Sequence, residues 1–465
     1  MKIKNIHSAY FIGIGGIGMS ALARWFHHNG VQVYGYDKTS TKLTTQLESE
    51  GISIHFDDEI EKMPDFVFKN SKEVLIVYTP AIPKDHKGFN YLKEKGVSIY
   101  KRSEVLGKLT EGMFTVAVAG THGKTTTSSM IAHLLKSGKK DIAGFLGGIT
   151  TNYGTNMVMN QGDYKKAIIV VEADEFDRSF LTLKPNIAVV TSTDADHLDI
   201  YGKLEELKKS FSLFLENVNP KGKAYIKDGL WDDIASKKIK AEPISYGLNA
   251  GEIRALNVQV KNAKFVFDVA LNDKVIKGFQ LSVPGFHNVE NAVVAIAVAQ
   301  QLGLNEKEIL EGIKTYSGVK RRFEYVIQRE NFVFIDDYAH HPSEITAMLT
   351  SVRALYPGKK VSVLFQPHLY SRTRDFAVEF SRSLSLADEV MLLDIYPARE
   401  LPIDGVSSDI LLESIQVDEK YKVDKETIIE YLGSRELEVF ITMGAGNIDQ
   451  LVEPLKNMFN KQHAA

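Results

Sequence analysis

The chain has 465 residues, 44% of them hydrophobic, with 56 Lys+Arg against 59 Asp+Glu and no cysteine. That length exceeds one ordinary core and predicts two or three domains. The near balance of charge argues against a polyanion-binding surface and hence nucleic acid, and the lack of cysteine rules out disulfides, thiolate metal sites and a Cys nucleophile.

In chain order, short β-rich apolar runs alternate with helical stretches, the pattern of an α/β chain built on parallel sheets with crossover helices. Residues 1–18 carry two early lysines, but the apolar run breaks at Gly13, Gly15 and Gly16 with no cleavage pattern after it, so this segment reads as a first strand rather than a signal peptide. No run approaches the ~20 apolar residues of a membrane helix; a soluble, cytoplasmic protein is expected. The first unit has strand candidates at 9–14, 31–36 and 74–78 and closes near 101–109. The second opens with a strand at 114–119, continues through 167–171 and 187–191, carries antiparallel strands within 253–283 and ends with a helix at 289–302. The third has strands at 332–335, 361–365, 390–395 and 439–442 and a helix at 345–355. Three α/β domains are expected, at 1–109, 110–319 and 320–465.

Gly13-Ile14-Gly15-Gly16-Ile17-Gly18 follows a strand and precedes a helix, and Asp37 ends the next strand. Glycines so placed let a diphosphate approach the backbone at a helix N-terminus, in a nicotinamide dinucleotide or in a UDP-sugar alike. Gly120-Thr121-His122-Gly123-Lys124-Thr125-Thr126-Thr127 also joins a strand to a helix. It is two residues shorter between its glycines than the general phosphate loop, yet Gly-Lys-Thr in that setting predicts Lys124 on the β/γ-phosphates of ATP and the Thr125 hydroxyl on Mg²⁺. The strand at 167–171 runs into Glu172-Ala173-Asp174-Glu175, with Glu172 the best magnesium ligand, and the next strand into Thr193-Asp194-Ala195-Asp196-His197-Leu198-Asp199. Alone, His197 would read as a helix-cap residue; beside a phosphate loop and Glu172 it reads as a metal ligand.

Asn288, in His287-Asn288-Val289-Glu290-Asn291, reads alone as an N-cap, although an amide also suits an adenine edge. Arg321-Arg322-Phe323-Glu324 marks the second domain junction, where the guanidinium groups could reach a γ-phosphate or form an interdomain ion pair. Two more polar loops follow strands of the third unit, Asp336-Asp337-Tyr338-Ala339-His340-His341-Pro342 and Gln366-Pro367-His368-Leu369-Tyr370-Ser371-Arg372-Thr373-Arg374.

Together these motifs, spanning residues 13–446, resemble the Mur ligase family, whose own phosphate loop is the short variant. The glycine turn, Glu172-Ala173-Asp174-Glu175, the two third-unit loops and Tyr396-Pro397-Ala398-Arg399-Glu400 resemble the branch that adds L-alanine, as does Tyr78-Thr79-Pro80-Ala81-Ile82. The resemblance implies a Rossmann-like UDP-binding domain, a central P-loop ATPase-type domain and a Rossmann-like amino-acid-binding domain. It implies ATP and Mg²⁺, with UDP-N-acetylmuramate and L-alanine as substrates and an acyl phosphate between them. UDP-sugar contacts fall on Gly15, Gly16, Ile17, Gly18, Asp37, Thr79 and Ala81. ATP contacts fall on Gly120, Thr121, His122, Gly123, Lys124, Thr125 and Thr126, with Asn288 and Asn291 facing adenine and Arg322 and Asp337 reaching the nucleotide from the third domain. Thr125, Glu172 and His197 would meet the metal. Lys124, His197, Arg322, His340 and Arg372 form the catalytic set, the last two around the incoming alanine. Leu369 departs from relatives that carry Arg there, which leaves Arg372 and Arg374 for the alanine carboxylate.

Three other readings are weaker. A nicotinamide-dependent dehydrogenase leaves residues 120–127 and Glu172 without a task, and a nucleotide-binding switch has no use for the His- and Arg-rich third unit. A recycling ligase that joins a preformed tripeptide to the same UDP-sugar shares the fold and the ATP site, but the loops at 78–82 and 366–374 resemble it less.

Overall fold

The computed structural model describes residues 3–69, 71–160, 167–176, 178–195, 198–261, 264–272, 274–398 and 400–462. Its first sheet has five parallel strands, β1 (Ser8–Ile12), β2 (Gln32–Tyr36), β3 (Ser53–His55), β4 (Val74–Tyr78) and β5 (Ile99–Lys101), in the order β3-β2-β1-β4-β5. Strand order reverses between β1 and β4, which opens a crevice at their carboxyl ends, the usual ligand position of such sheets. Residues 13–18 occupy that edge.

The second sheet comprises β6 (Thr115–Ala119), β7 (Ile142–Phe145), β8 (Met157–Met159), β9 (Ile168–Glu172), β10 (Ile187–Val190), β11 (Lys223–Lys227), β12 (Glu242–Gly247), β13 (Ile253–Lys261), β14 (Lys264–Leu271) and β15 (Lys274–Leu281). Their order is β15-β14-β13-β12-β11-β10-β6-β9-β7-β8, so β6 lies between β9 and β10, parallel to both. The loops after these three strands therefore leave from one edge. The third sheet is β16 (Glu324–Gln328), β17 (Val333–Asp337), β18 (Val361–Phe365), β19 (Glu389–Leu392), β20 (Glu419–Lys422) and β21 (Val439–Met443), in the order β16-β17-β21-β18-β19-β20, with β16 alone antiparallel to its neighbour.

Every residue of β6, β10, β18 and β21 is buried, which explains their near-continuous apolar sequences. The chain divides into two compact units, one of residues 1–256, 268–279 and 290–316 and the other of 257–267, 280–289 and 317–465. Within the first, Phe11, Trp25 and Phe26 belong to one continuous apolar cluster with Ala117, Phe180, Phe211 and Phe214. The third sheet has a core of its own around Phe334, Phe440 and Phe459. Among the described residues, no helix is long and apolar enough to cross a membrane.

Two expectations are corrected. The helix expected from residue 289 spans Phe286–Gln301, so Asn288 lies inside its first turn and is not an N-cap. Asp336 and Asp337 are the last residues of β17 rather than the start of a loop.

Candidate active site

The phosphate loop joins the buried strand β6 to the helix Lys124–Ser137. At Gly120 φ is +138°, and a Cβ there would lie 2.1 Å from Thr191 Oγ1, so only glycine fits. Gly123, with φ +80°, turns the chain into the helix. The loop is held from behind: His122 N–H donates to Ser192 Oγ at 2.7 Å, the Thr121 and Ser192 hydroxyls lie 2.9 Å apart, and the single Thr191 hydroxyl proton lies within reach of the carbonyls of Ala119 and His122. The helix start directs the unsatisfied amides of its first turn at whatever anion the loop receives.

Lys124 Nζ donates to the Gly120 carbonyl at 2.6 Å and lies 2.8 Å from a carboxylate oxygen of Glu175, a fully buried residue. Burial opposes the Lys124 ammonium, but the charges of Glu175, Asp174 and Glu172 outweigh it and raise the lysine pKa. Burial also raises the Glu175 pKa, against the pull of Lys124. We take Lys124 as charged, because three carboxylates face one cation and the local field is negative.

Glu172 ends β9 in register with Val118 of β6, which places it beside the start of the loop. Its Oε2 accepts the Gly147 N–H at 2.9 Å, and a Cβ on Gly147 would come within 2.3 Å of that oxygen. Magnesium suits the donors present: the Thr125 hydroxyl and the Glu172 carboxylate are hard oxygen ligands in a site of net negative charge. Among the described residues no group of three His, Asp or Glu side chains is gathered tightly enough to hold a metal. His197, the third expected ligand, lies outside the described residues, as do Asp196 and Arg399. Asn291 is buried with its amide oxygen 3.0 Å from where a Gly123 Cβ would be, so it faces the end of the phosphate loop. Asn288 Nδ2 donates to the Pro284 carbonyl at 2.6 Å.

At the first sheet's edge, Gly13 turns with φ +85°, and a Cβ there would strike Thr79 Cγ2 at 2.5 Å. Thr79 thus packs on the turn, and its hydroxyl accepts weakly from Ala81 N–H at 3.5 Å. Gly15 N–H donates to Asp37 Oδ2 at 2.7 Å. The helix Ile17–His28 follows, and the Arg102 guanidinium lies against Gly18, where a Cβ would sit 2.2 Å from Nη1. Arg102 also approaches Asp174 at 3.9 Å. Sequence reasoning missed Arg102, and its place at the start of the helix Arg102–Thr110, after β5, was the one available signal.

In the third sheet, Asp337 accepts from the N–H groups of Phe323 (2.6 Å) and Ala339 (2.7 Å). Burial pushes its pKa up to about 6 despite these bonds and the Arg322 charge. Arg321 pairs with Asp336 at 3.1 Å and Arg322 lies 3.6 Å from Glu344, so both are engaged within their own domain. His340 Nδ1 lies 2.9 Å from the Tyr338 carbonyl and 3.2 Å from Glu344. Its ring meets that of His368 at 6.0 Å, and His368 Nδ1 is 3.4 Å from Arg372 Nη1. The expected His340 and Arg372 therefore converge, joined by His368 and Tyr338. Arg374 instead pairs with Asp375 at the surface.

Comparison with known proteins matches residues 8–113 to the Mur ligase family catalytic domain, 118–299 to the Mur ligase middle domain and 321–446 to the Mur ligase glutamate ligase domain. The chain is 48% identical to the UDP-N-acetylmuramate–L-alanine ligase of Christiangramia forsetii, over 98% of each chain. It is 45% identical to that of Cytophaga hutchinsonii over 100% of this chain and 99% of the relative. Among solved structures, the UDP-N-acetylmuramate-alanine ligase of Thermotoga maritima superposes with a TM-score of 0.81 at 30% identity, covering 98% of this chain and 99% of that one. A murein peptide ligase of Psychrobacter arcticus gives 0.70 at 22% identity, over 97% and 98%, and shares the fold.

Proposed function

Because this chain belongs to the Mur ligase family, we propose that it joins L-alanine to the lactyl carboxylate of UDP-N-acetylmuramate at the expense of ATP, in the cytoplasmic synthesis of peptidoglycan precursors. The observation that carries the reading is the identity of 45–48% to alanine-adding ligases over nearly the whole chain. The tripeptide-recycling alternative has weaker likenesses behind it, at 22% and 25% identity to solved structures. Residues 1–109 hold the UDP-sugar, 110–319 the ATP and 320–465 the amino acid.

A carboxylate is a poor partner for an amine because its oxygen leaves badly. One lactyl oxygen attacks the ATP γ-phosphorus, the bond to the β-phosphate oxygen breaks, and ADP departs with that electron pair. The alanine amine then attacks the acyl carbon, phosphate leaves with its oxygen, and the amine gives up a proton. Lys124 holds the β/γ-phosphate oxygens, and the loop amides cradle them. Thr125 and Glu172 would hold magnesium, which neutralises phosphate charge when bound. The glycine turn with Asp37, Thr79 and Arg102 holds the UDP-sugar, and Arg372 takes the alanine carboxylate as a bidentate pair.

Phosphate release with ATP and UDP-N-acetylmuramate tests the reading, with L-alanine, glycine, L-serine or the L-alanyl-γ-D-glutamyl tripeptide offered in turn. L-Alanine should give the highest kcat/KM. Turnover with the tripeptide and none with L-alanine would reverse the assignment.

A further inference from the structure

Asn156 is fully buried where the loop between β7 and β8 ends. Its side-chain nitrogen donates to the Ile17 carbonyl at 2.5 Å and to Ser20 Oγ at 3.0 Å, while its side-chain oxygen accepts from Arg24. Ile17, Ser20 and Arg24 lie at i, i+3 and i+7 on the helix that follows the glycine turn, so one amide grips one face of it. Arg24, itself buried, directs its remaining donors at Glu50, at 2.7 and 2.9 Å. Donor and acceptor ends of the amide meet unlike partners, so a single orientation satisfies it.

The backbone continues the path. The Asn156 carbonyl accepts from Leu146 N–H at 3.0 Å, and the next residue, Gly147, donates to Glu172 at 2.9 Å with no room for a side chain. The crown of the loop is tied as well: Asn152 Nδ2 donates to the Thr315 carbonyl at 2.8 Å, and the Tyr153 hydroxyl lies 2.8 Å from His133 Nδ1. A loop fixed at its crown and base has little freedom to absorb a displacement.

We infer that Asn156 is a positioning residue that sets the glycine turn against Glu172, so that the UDP-sugar and the magnesium-bound nucleotide each bind more tightly when the other is present. The inference rests on the assignment of those two sites under Proposed function. The reaction requires such registration, since the attacking carboxylate is tethered to a diphosphate held at one site while the phosphoryl group is held at the other. A misplacement of about 1 Å costs roughly a hundredfold in rate.

The test is calorimetric titration of the full-length protein with magnesium and a non-hydrolysable ATP analogue, with and without saturating UDP-N-acetylmuramate, on the parent, Asn156→Ala and Asn156→Asp. The Asp variant keeps an acceptor for Arg24 but turns an acceptor toward the Ile17 carbonyl. In the parent, UDP-N-acetylmuramate should tighten the nucleotide at least about fivefold. Both variants should bring that factor below about twofold while each ligand alone binds within about threefold of the parent, a pattern that mere loss of stability does not produce. Should neither Asn156 variant fold, Ser20→Ala, which removes one partner of the amide on the helix and lies outside both ligand sites, should lower the coupling factor while leaving each ligand alone within about threefold of the parent. Undiminished coupling in a folded variant, or a parent that binds both ligands without coupling, would overturn the inference. A parent that fails to bind UDP-N-acetylmuramate would overturn the site assignment itself, and the inference with it.

Discussion

The glycine turn at 13–18 and the phosphate loop at 120–127 both leave a parallel strand and enter a helix, yet they are equipped differently. The first contains no cation: Asp37 holds the Gly15 amide, and the guanidinium against Gly18 comes from Arg102, more than eighty residues away. The second carries its cation in the first turn of its helix, with Glu172, Asp174 and Glu175 facing it. On the proposed assignment, a diphosphate that is only held can be met by backbone and a remote charge, whereas a phosphoryl group that is transferred needs a charge fixed in place while its own charge redistributes.

The largest effect that separates the two loops is expected from Lys124→Ala. Loss of this charge should lower kcat about a thousandfold or more with the UDP-sugar KM little changed, as steady-state phosphate release would show; near-normal turnover would end the distinction. Glu172→Gln comes next, since an amide is a poor ligand for a hard cation. It should displace the magnesium activation curve by about tenfold or more, whereas an unmoved curve would remove Glu172 from the metal.

The helices behind the loops differ too. His27 and His28 stand partly or fully exposed on one, while His133 on the other is buried between Tyr153 and Thr315, and burial lowers its pKa to about 4. The unfolded chain takes up this proton near pH 6.5 and the folded chain only near pH 4, so stability falls as pH drops through that window. The loss should reach about 2 kcal/mol by pH 5. Denaturant titrations at several pH values should show His133→Gln flattening that slope; an unchanged slope would place the proton uptake elsewhere. The smallest effect is expected from Asp37→Ala, which should raise the UDP-sugar KM roughly fivefold, about 1 kcal/mol, with kcat and the ATP KM nearly constant. A fall in kcat alone would assign Asp37 to the chemistry instead.

How much the sequence revealed follows the range of each interaction. Strands buried on both faces announced themselves as apolar runs, so Val74–Tyr78 and Val361–Phe365 were legible to the residue. The three-residue strands Ser53–His55 and Ile99–Lys101, half-exposed at the sheet edges, offered too short a pattern. Within the candidate site, the strand-to-helix setting of Gly123-Lys124-Thr125 was readable because it is local. Partners set by tertiary contact were not: Glu175 under Lys124, Arg102 against Gly18, and Asn156 on the helix Ile17–His28 each join segments distant in sequence. Asn288 misled because a polar residue before an apolar run suits a cap, whereas Gly285, with φ +119°, had already turned the chain and the helix begins at Phe286.

The apolar cluster that runs from Phe11 and Trp25 to Phe180 and Phe214 also governs how the first two sheets come apart. Removing residues 1–109 would expose the central partners of that cluster to water, which costs apolar burial on both sides of the cut. The two sheets should therefore melt as one cooperative unit, with tryptophan fluorescence of Trp25 and Trp231 reporting the same midpoint. A protease that nicks the chain near residue 110 should leave the two pieces associated until denaturant separates them.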